Sequence, residues 1–102
     1  MRKALVSFNR VKAGTLEEMD NGKYKFVYFS DYKGPPISFT MPVAQKIFEF
    51  DTFPAFFDGF LPEDVALDVF LHRFKLNKSD YFGQLLIAGN NNVGSVTIRE
   101  LI

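Results

Sequence analysis

The sequence predicts an α+β fold in which an antiparallel β-sheet carries two or three helices packed on one face. Three observations predict this class. The first thirty residues alternate apolar and polar side chains, the stretch after Phe53 repeats apolar residues at three- and four-residue spacing, and the chain closes on a strand-like run. With 102 residues, 47% of them apolar, residues 1–102 have the size and composition of a single domain.

The N-terminal third is predicted to form three strands. Residues 4–9 alternate with the two-residue period of a half-buried strand, and residues 12–19 follow as the next strand. Residues 20–22, Asp-Asn-Gly, supply the left-handed backbone conformations of a tight hairpin. Residues 23–29 then form its second strand, with three aromatic rings on one face: Tyr24, Phe26 and Tyr28.

Prolines interrupt the middle of the chain. Pro35 and Pro36 have no N–H to donate to a ladder, so the sheet cannot continue through them. Residues 37–40 are predicted to form a short edge strand before Pro42. Residues 43–50 fit either a strand or a turn.

A helix is predicted after Phe53, beginning with Pro62 at its first position. Glu63 and Asp64 follow, where carboxylates meet the positive end of the helix dipole. An apolar stripe then recurs at helical spacing and is predicted to face the core. Its members are Ala66, Leu67, Phe70, Leu71 and Phe74.

A second helix and a closing strand complete the chain. Either Asn77 or Ser79 can cap the helix, and Gly89 is placed to end it. The residues predicted to anchor it in the core are Phe82, Leu85 and Leu86. The Asn run at 90–92 is predicted to turn, and residues 93–101 to form the last strand.

Composition excludes several classes of function. Twelve Lys and Arg balance twelve Asp and Glu, so no overall field attracts nucleic acid or an anionic membrane. The absence of Cys removes disulfides, thiolate nucleophiles and zinc ribbons. The start of the chain lacks the pattern of a signal peptide, and its apolar runs are shorter than a membrane span requires. We expect a cytoplasmic protein.

Catalytic and metal-binding patterns are weak, and we expect no enzyme activity, cofactor or metal ion. His72 lies one helical turn after Asp68, but this acid–base pair has no oriented nucleophile or pocket predicted beside it. Asp58, Glu63 and Asp64 could hold a metal ion, yet carboxylates at the start of a helix ordinarily complement its dipole. The glycines form no phosphate-binding loop.

An aromatic strand also permits a nucleic-acid hypothesis. Tyr24, Phe26 and Tyr28 could stack bases on an open sheet, while Lys23 and Lys25 meet phosphates. The competing interpretation is that these rings form the core. The balanced charge, with no basic stripe beyond these two lysines, favours the core.

Taken in order, several motifs resemble those of one family. They are Ala13-Gly14-Thr15-Leu16, Phe26-Val27-Tyr28, Pro36-Ile37-Ser38-Phe39-Thr40-Met41-Pro42, Phe56-Phe57-Asp58-Gly59-Phe60-Leu61-Pro62-Glu63, and the turn and strand from Gly89 to Val96. This series resembles the N-terminal subdomain of HipA-type toxin kinases over nearly the whole chain. The family often has Gly where Asp64 stands, and an acidic residue and an Ala near Asn91 and Ser95.

The resemblance implies a non-catalytic role. HipA-like kinases carry their ATP loop and catalytic aspartates in a core that follows this subdomain, and this chain ends at Ile102 before such a core. In some three-protein HipBST systems a small protein similar to the subdomain, HipS, is the antitoxin of a shortened serine/threonine kinase, HipT. We expect a chain of this kind, with HipT as partner and a HipB-type helix-turn-helix DNA-binding protein in the same complex. Direct binding to nucleic acid or membrane is not expected.

The predicted kinase contact is the segment where an apolar ridge meets the start of a helix. Its residues are Phe57, Phe60, Leu61, Pro62, Glu63, Asp64 and Val65. Two alternatives stay open. The segment can simply pack the helix onto the sheet, and the chain can be the structural subdomain of a longer HipA-like kinase rather than a separate antitoxin. A small single-stranded nucleic-acid-binding domain is a third interpretation.

Overall fold

The computed structural model describes residues 2–90 and 95–101. Eight elements follow one another along this part of the chain. They are β1 (Lys3–Phe8), β2 (Val11–Glu18), β3 (Tyr24–Tyr28), β4 (Ile47–Phe50), α1 (Ala55–Asp58), α2 (Asp64–Phe74), α3 (Tyr81–Ala88) and β5 (Val96–Leu101). The strands form one antiparallel sheet in the order β4-β3-β2-β1-β5. The predicted α+β class is confirmed.

The predicted hairpin between β2 and β3 is present. The amide of Met19 donates to the carbonyl of Lys23 at 2.8 Å, and Gly22 has the positive φ of 83° that favours glycine. The β1–β2 connection is a second tight turn, in which Asn9 and Arg10 both have positive φ. Two consecutive left-handed residues match the right-handed twist of the strands they join.

One face of the sheet carries the core. Phe26 pairs with Leu16 on β2 and with Phe48 on β4, and all three are buried. Gly14 lies in the neighbouring row beside Tyr28, where a Cβ atom would approach the carbonyl oxygen of Val27 to 2.2 Å. Only glycine fits this position of the sheet, because a side chain would require the backbone of β3 to move.

The opposite face of the sheet carries a row of compensated charges. Glu17 on β2 forms ion pairs with Lys3 on β1 at 3.4 Å and with Lys25 on β3 at 3.7 Å. Cross-strand pairs of opposite charge suit a surface that meets water.

Helices α1 and α3 cover the core face of the sheet. Phe57 of α1 contacts Phe26, with ring centroids 6.1 Å apart, and Phe82 of α3 stacks on Tyr24 at 6.4 Å. As predicted, Phe82 and Leu85 anchor α3 in the core with Leu86 packed against it, and Gly89 follows the helix as its C-cap.

The cap of α3 differs from the predicted one. The residue at the N-cap is Asp80, whose Oδ1 accepts from the Gly83 amide at 3.0 Å. Asn77, one of the two predicted caps, instead accepts from the amide and hydroxyl of Ser79 and forms the turn before the helix. Asp80 also receives a 2.7 Å hydrogen bond from Arg2, which lowers the pKa of its carboxyl group.

The predicted start and orientation of α2 were wrong. Pro62 is not in the helix, because Glu63 is still extended at φ −128° and ψ 160° and the helix begins at Asp64. No residue of α2 is fully buried, and its half-buried residues Leu67, Phe70 and Leu71 do not pack against the core cluster, so the stripe does not face the core as predicted. The sheet face is already covered by side chains of α1 and α3, including Phe57 and Phe82. Helical spacing identified the helix but not what it packs against.

The middle of the chain also differs from the prediction. Residues 37–40 form turns rather than an edge strand. The ambiguous stretch 43–50 divides into a turn and strand β4, which pairs with β3 at the edge of the sheet. The hydroxyl of Tyr28 accounts for the turns, because it accepts from the Ile37 amide at 3.0 Å and donates to the Met41 carbonyl at 2.6 Å. These hydrogen bonds take the place of the strand–strand hydrogen bonds that an edge strand would make.

The predicted closing strand is confirmed as β5 from Val96 onward. The predicted turn at residues 90–92 and the predicted start of the strand at residue 93 fall mostly outside the described residues. None of the described helices is long and apolar enough to cross a membrane.

Candidate interaction surface

The predicted contact segment joins α1 to α2, and its first residue is part of the core. Phe57 is completely buried, and its ring lies 5.1 Å from that of Phe56 and 6.1 Å from that of Phe26. A side chain in this position cannot touch a partner, so including Phe57 in the surface was wrong. Burial of α1 against the sheet requires one apolar residue on its inner side, and Phe57 is that residue.

The next three residues are half-buried and form a base. The Phe60 ring contacts the Phe56 ring edge to face at 5.4 Å, and the Leu61 amide donates to the Asp58 carbonyl at 3.0 Å. Phe60, Leu61 and Pro62 each keep part of their surface in solvent. They therefore hold the segment on the domain and still present apolar atoms.

The residues at the start of α2 are exposed to solvent. Glu63 and Asp64 are exposed, and Val65 exposes 76% of its surface. Val69, one helical turn further on, exposes 62%. Residues four apart lie on the same face of a helix, so the two valines form one apolar strip. We refer to residues 60–69 as the projection.

The backbone at the start of the projection is unusual. Asp64 has a left-handed φ of 53°, and Glu63 before it makes no side-chain cap hydrogen bond. A non-glycine residue pays a steric cost in this region, which Asp tolerates better than most. Helix α2 therefore begins at a residue with left-handed backbone angles.

A cleft of about 320 Å³ separates the projection from the start of α3. The lining residues from the α1–α2 part of the chain are Asp58, Leu61, Pro62, Glu63, Asp64 and Leu67, and those from α3 and the turn before it are Lys78, Tyr81 and Gln84. Gln84 is buried, and its amide donates to the carbonyls of Asn77 and Lys78 at 3.3 and 3.1 Å. These hydrogen bonds fix the turn before α3 on this side of the cleft. The cleft brings together four of the seven predicted contact residues, which are Leu61, Pro62, Glu63 and Asp64.

The charge of this region is one-sided. The stretch from residue 47 to residue 72 contains no Lys or Arg. Its acidic residues are Glu49, Asp51, Asp58, Glu63, Asp64 and Asp68. Asp58, Glu63, Asp64 and Asp68 are exposed on or next to the projection, whereas Asp51 pairs with Lys23 at 3.4 Å and Lys78 lines the opposite side of the cleft. The projection itself is therefore acidic.

A second apolar feature was missed by the sequence analysis. Phe39 is fully exposed on the turn formed by residues 37–41, next to a groove of about 430 Å³. The groove is lined by Pro35, Pro36, Ile37, Ser38, Phe39 and Phe56. The signal available in the sequence was the proline pair, but assigning residues 37–40 to a strand hid the ring that the turn displays.

The other hypotheses find no support in the geometry. Phe26 and Tyr28 are buried, and Tyr24 packs against Phe53 and Phe82, so the core interpretation of these rings is right. His72 and Asp68 are both exposed on α2 and line none of the described clefts. Within residues 2–90 and 95–101, no group of three His, Asp or Glu side chains is arranged to hold a metal ion.

Comparisons with known proteins identify the family. The family profile described as HipA N-terminal domain matches residues 4–99. The chain is 34% identical over 87 residues to an uncharacterized protein of Haemophilus influenzae, a match that covers 85% of this chain and 81% of that protein. The fold superposes on a solved structure titled N-terminal domain of HipA toxin with a TM-score of 0.75 and 24% identity, over 100% of this chain and 94% of that one. The chain belongs to the HipA N-terminal domain family.

Proposed function

We propose that this chain is a non-catalytic antitoxin that binds a HipT-type, HipA-like serine/threonine kinase toxin and neutralises it. The projection docks on the kinase at the surface that a covalently attached N-terminal subdomain would cover. Docking restrains or blocks the active site. A kinase toxin works where ATP is available, so the proposal places this function in the bacterial cytoplasm.

The observation that carries the proposal is the exposure of α2. An eleven-residue helix is short for independent stability in water, and a helix in a globular protein is ordinarily stabilised by burying an apolar face. Here no residue of the helix is fully buried: Leu67, Phe70 and Leu71 are only half-buried, and Val65 and Val69 are exposed. A partner that covers this strip would supply the missing apolar burial.

The charge of the projection supports a positively charged partner surface. Glu63, Asp64 and Asp68 surround the exposed valines with negative charge. Complementary charges at an interface accelerate association and fix its register. A kinase surface built to hold nucleotide phosphates carries positive charge, which suits this arrangement.

The size of a relative supports a separate protein. The 87 aligned residues make up 81% of the Haemophilus influenzae protein, so that relative is itself little longer than this domain. A family member of this size contains the N-terminal domain without room for a kinase core. A HipB-type DNA-binding protein is the proposed third member of the assembly.

The alternative keeps the same surface and changes the connection. As the N-terminal subdomain of a longer HipA-like kinase, the domain would place the projection against its own kinase core. The reading frame distinguishes the two. A stop codon after the codon for Ile102, followed by a frame for a kinase that lacks this domain, favours the antitoxin, and an uninterrupted frame favours the subdomain.

Two charge-altering substitutions test the proposal. Val65→Arg and Asp64→Lys change exposed side chains of the projection, so we expect both to lose at least tenfold in affinity for the kinase encoded beside this chain. Both should fold, with Asp64→Lys slightly less stable because Lys tolerates the left-handed φ of 53° less well than Asp does. Matched controls are Val11→Arg on β2 and Asp31→Lys in a turn, both also exposed.

The readouts are co-purification with the kinase and rescue of growth when the kinase is expressed. We expect the controls to bind and to rescue like the unaltered chain. Undiminished binding and rescue by both projection variants would remove this surface from the proposed function. Failure of the unaltered chain to bind the kinase would remove the function itself.

A further inference from the structure

Phe39 is an aromatic ring held out in water on a rigid turn. The ring is fully exposed, yet Ile37 and Met41 on either side of it are buried. Buried aromatic side chains contribute much of the binding energy in many protein interfaces, and a fully exposed aromatic side chain is uncommon on a surface that binds nothing. Phe39 is therefore a candidate contact residue for a partner protein.

Hydrogen bonds fix the turn before any partner arrives. The Ile37 amide donates to the Tyr28 hydroxyl, which in turn donates to the Met41 carbonyl. The Met41 amide donates to the Ser38 carbonyl at 3.0 Å, and the Thr40 amide donates to the Ser38 hydroxyl at 3.3 Å. A group that is already ordered loses less entropy on binding, so this turn is prepared to act as an anchor.

The Phe39 groove is continuous with the projection. Phe56 lines the groove, its ring meets that of Phe60 edge to face at 5.4 Å, and Leu61 follows Phe60 into the cleft beside α2. One apolar ridge thus runs from the turn to the projection. A partner seated on the projection reaches the groove along this ridge.

The projection alone is too small for a stable interface. Specific interfaces bury about 800 Å² per partner and use roughly 20–30 residues on each side. The projection, residues 60–69, offers ten residues. The contact must spread onto neighbouring surface, and the apolar ridge leads to the Phe39 groove.

We propose that the Phe39 groove is a second anchor for the same kinase, occupied by an apolar side chain or turn of that protein. The inference rests on the proposed function, since it takes the kinase as the occupant. It adds that Phe39 contributes to affinity independently of the charges on the projection. The two anchors then engage one partner at two separated points.

The test measures the affinity of the purified kinase for single variants of the full chain. Because Phe39 is fully exposed, Phe39→Ala should leave the melting temperature unchanged and weaken binding at least tenfold. Phe39→Arg should weaken it further by placing a charge in the groove. Ile47→Ala on the edge strand β4, also an exposed apolar residue, is the matched control and should bind like the unaltered chain.

The outcomes separate the two proposals. If Val65→Arg loses binding while Phe39→Ala and Phe39→Arg retain it, the groove is not an anchor and the proposed function stands. If Phe39 variants abolish a self-association seen by sedimentation while kinase affinity is unchanged, the occupant is a second copy and the inference is overturned. If the unaltered chain does not bind the kinase, both proposals are overturned.

Discussion

Replacing Tyr28 by Phe removes a single oxygen atom that organises the turn carrying Phe39. In the folded chain this hydroxyl accepts from the Ile37 amide at 3.0 Å and donates to the Met41 carbonyl at 2.6 Å, both within the buried part of the molecule. The ring itself packs on Phe26 at 4.8 Å and on Tyr32 at 5.8 Å. Tyr28→Phe keeps that packing, so the substitution isolates the hydrogen bonds.

The expected cost follows from the two groups left behind. An amide or carbonyl that is buried without a partner costs about 1–3 kcal/mol, so two such groups lower the free energy of unfolding by about 2–6 kcal/mol. Small domains have only about 5–15 kcal/mol of stability, so this loss is large. For a chain of this size it corresponds to a fall in melting temperature of roughly 10 °C or more.

Urea denaturation followed by circular dichroism measures the loss, with Tyr81→Phe, whose side chain is substantially exposed, as the control. Amide hydrogen exchange at Ile37 reports the turn directly and should accelerate in Tyr28→Phe. A loss below about 0.5 kcal/mol, the range of ordinary surface substitutions, together with unchanged exchange at Ile37, would refute the account of how the turn is held.

Three further predictions concern stability. Gly14→Ala should lower the free energy of unfolding, measured by thermal melts, by more than about 3 kcal/mol, because the new Cβ would meet the Val27 carbonyl oxygen at 2.2 Å. The control Gly59→Ala should lower it by less than about 1 kcal/mol, and equal losses in the two variants would contradict this prediction. Asp64→Gly should stabilise the chain by up to about 1 kcal/mol in urea by relieving the left-handed φ of 53°, and a loss of stability would contradict this. Hydrogen bonding from Arg2 lowers the pKa of Asp80, so the stability that this carboxylate contributes is present above about pH 4 and is lost as the pH falls through its folded pKa. Asp80→Asn should therefore reduce the dependence of the free energy of unfolding on pH in the acid range. An unchanged dependence would count against the ion pair.

Strand positions could be predicted from the sequence because they depend on local signals. Alternation of apolar residues and the Asp-Asn-Gly turn placed β2 and β3 to within a residue or two. The motif series that resembles the HipA N-terminal subdomain extended this to the family, which the match over residues 4–99 confirms. The strand and turn signals, and each single motif of the series, lie within a short stretch of sequence.

The packing of α2 could not be predicted in the same way. The spacing of Leu67, Phe70 and Leu71 indicates a helix with an apolar side, but it does not say whether the sheet has room for that side. Phe57 and the side chains of α3 had already filled the available face. Competition for one surface is a property of the whole fold.

The residues of the candidate site also divide into those that local sequence signals predicted and those whose exposure depends on the whole fold. Glu63, Asp64 and Val65 are exposed, as a contact requires, because a helix start after a turn is ordinarily at the surface. Phe57 was wrong because three phenylalanines in five residues do not show which one faces inward. Phe39 was missed because its exposure depends on hydrogen bonds from Tyr28, eleven positions earlier.

Titrating the purified chain into the purified HipA-like kinase encoded beside it, while following ATP consumption and kinase autophosphorylation, tests the central claim most directly. Saturable loss of both activities, shifted to higher concentrations by Val65→Arg and unaffected by Val11→Arg, is the predicted result. Full kinase activity in the presence of excess folded chain, or ATP hydrolysis by the chain alone, would contradict the proposal that this domain acts only through the surface it presents to a kinase.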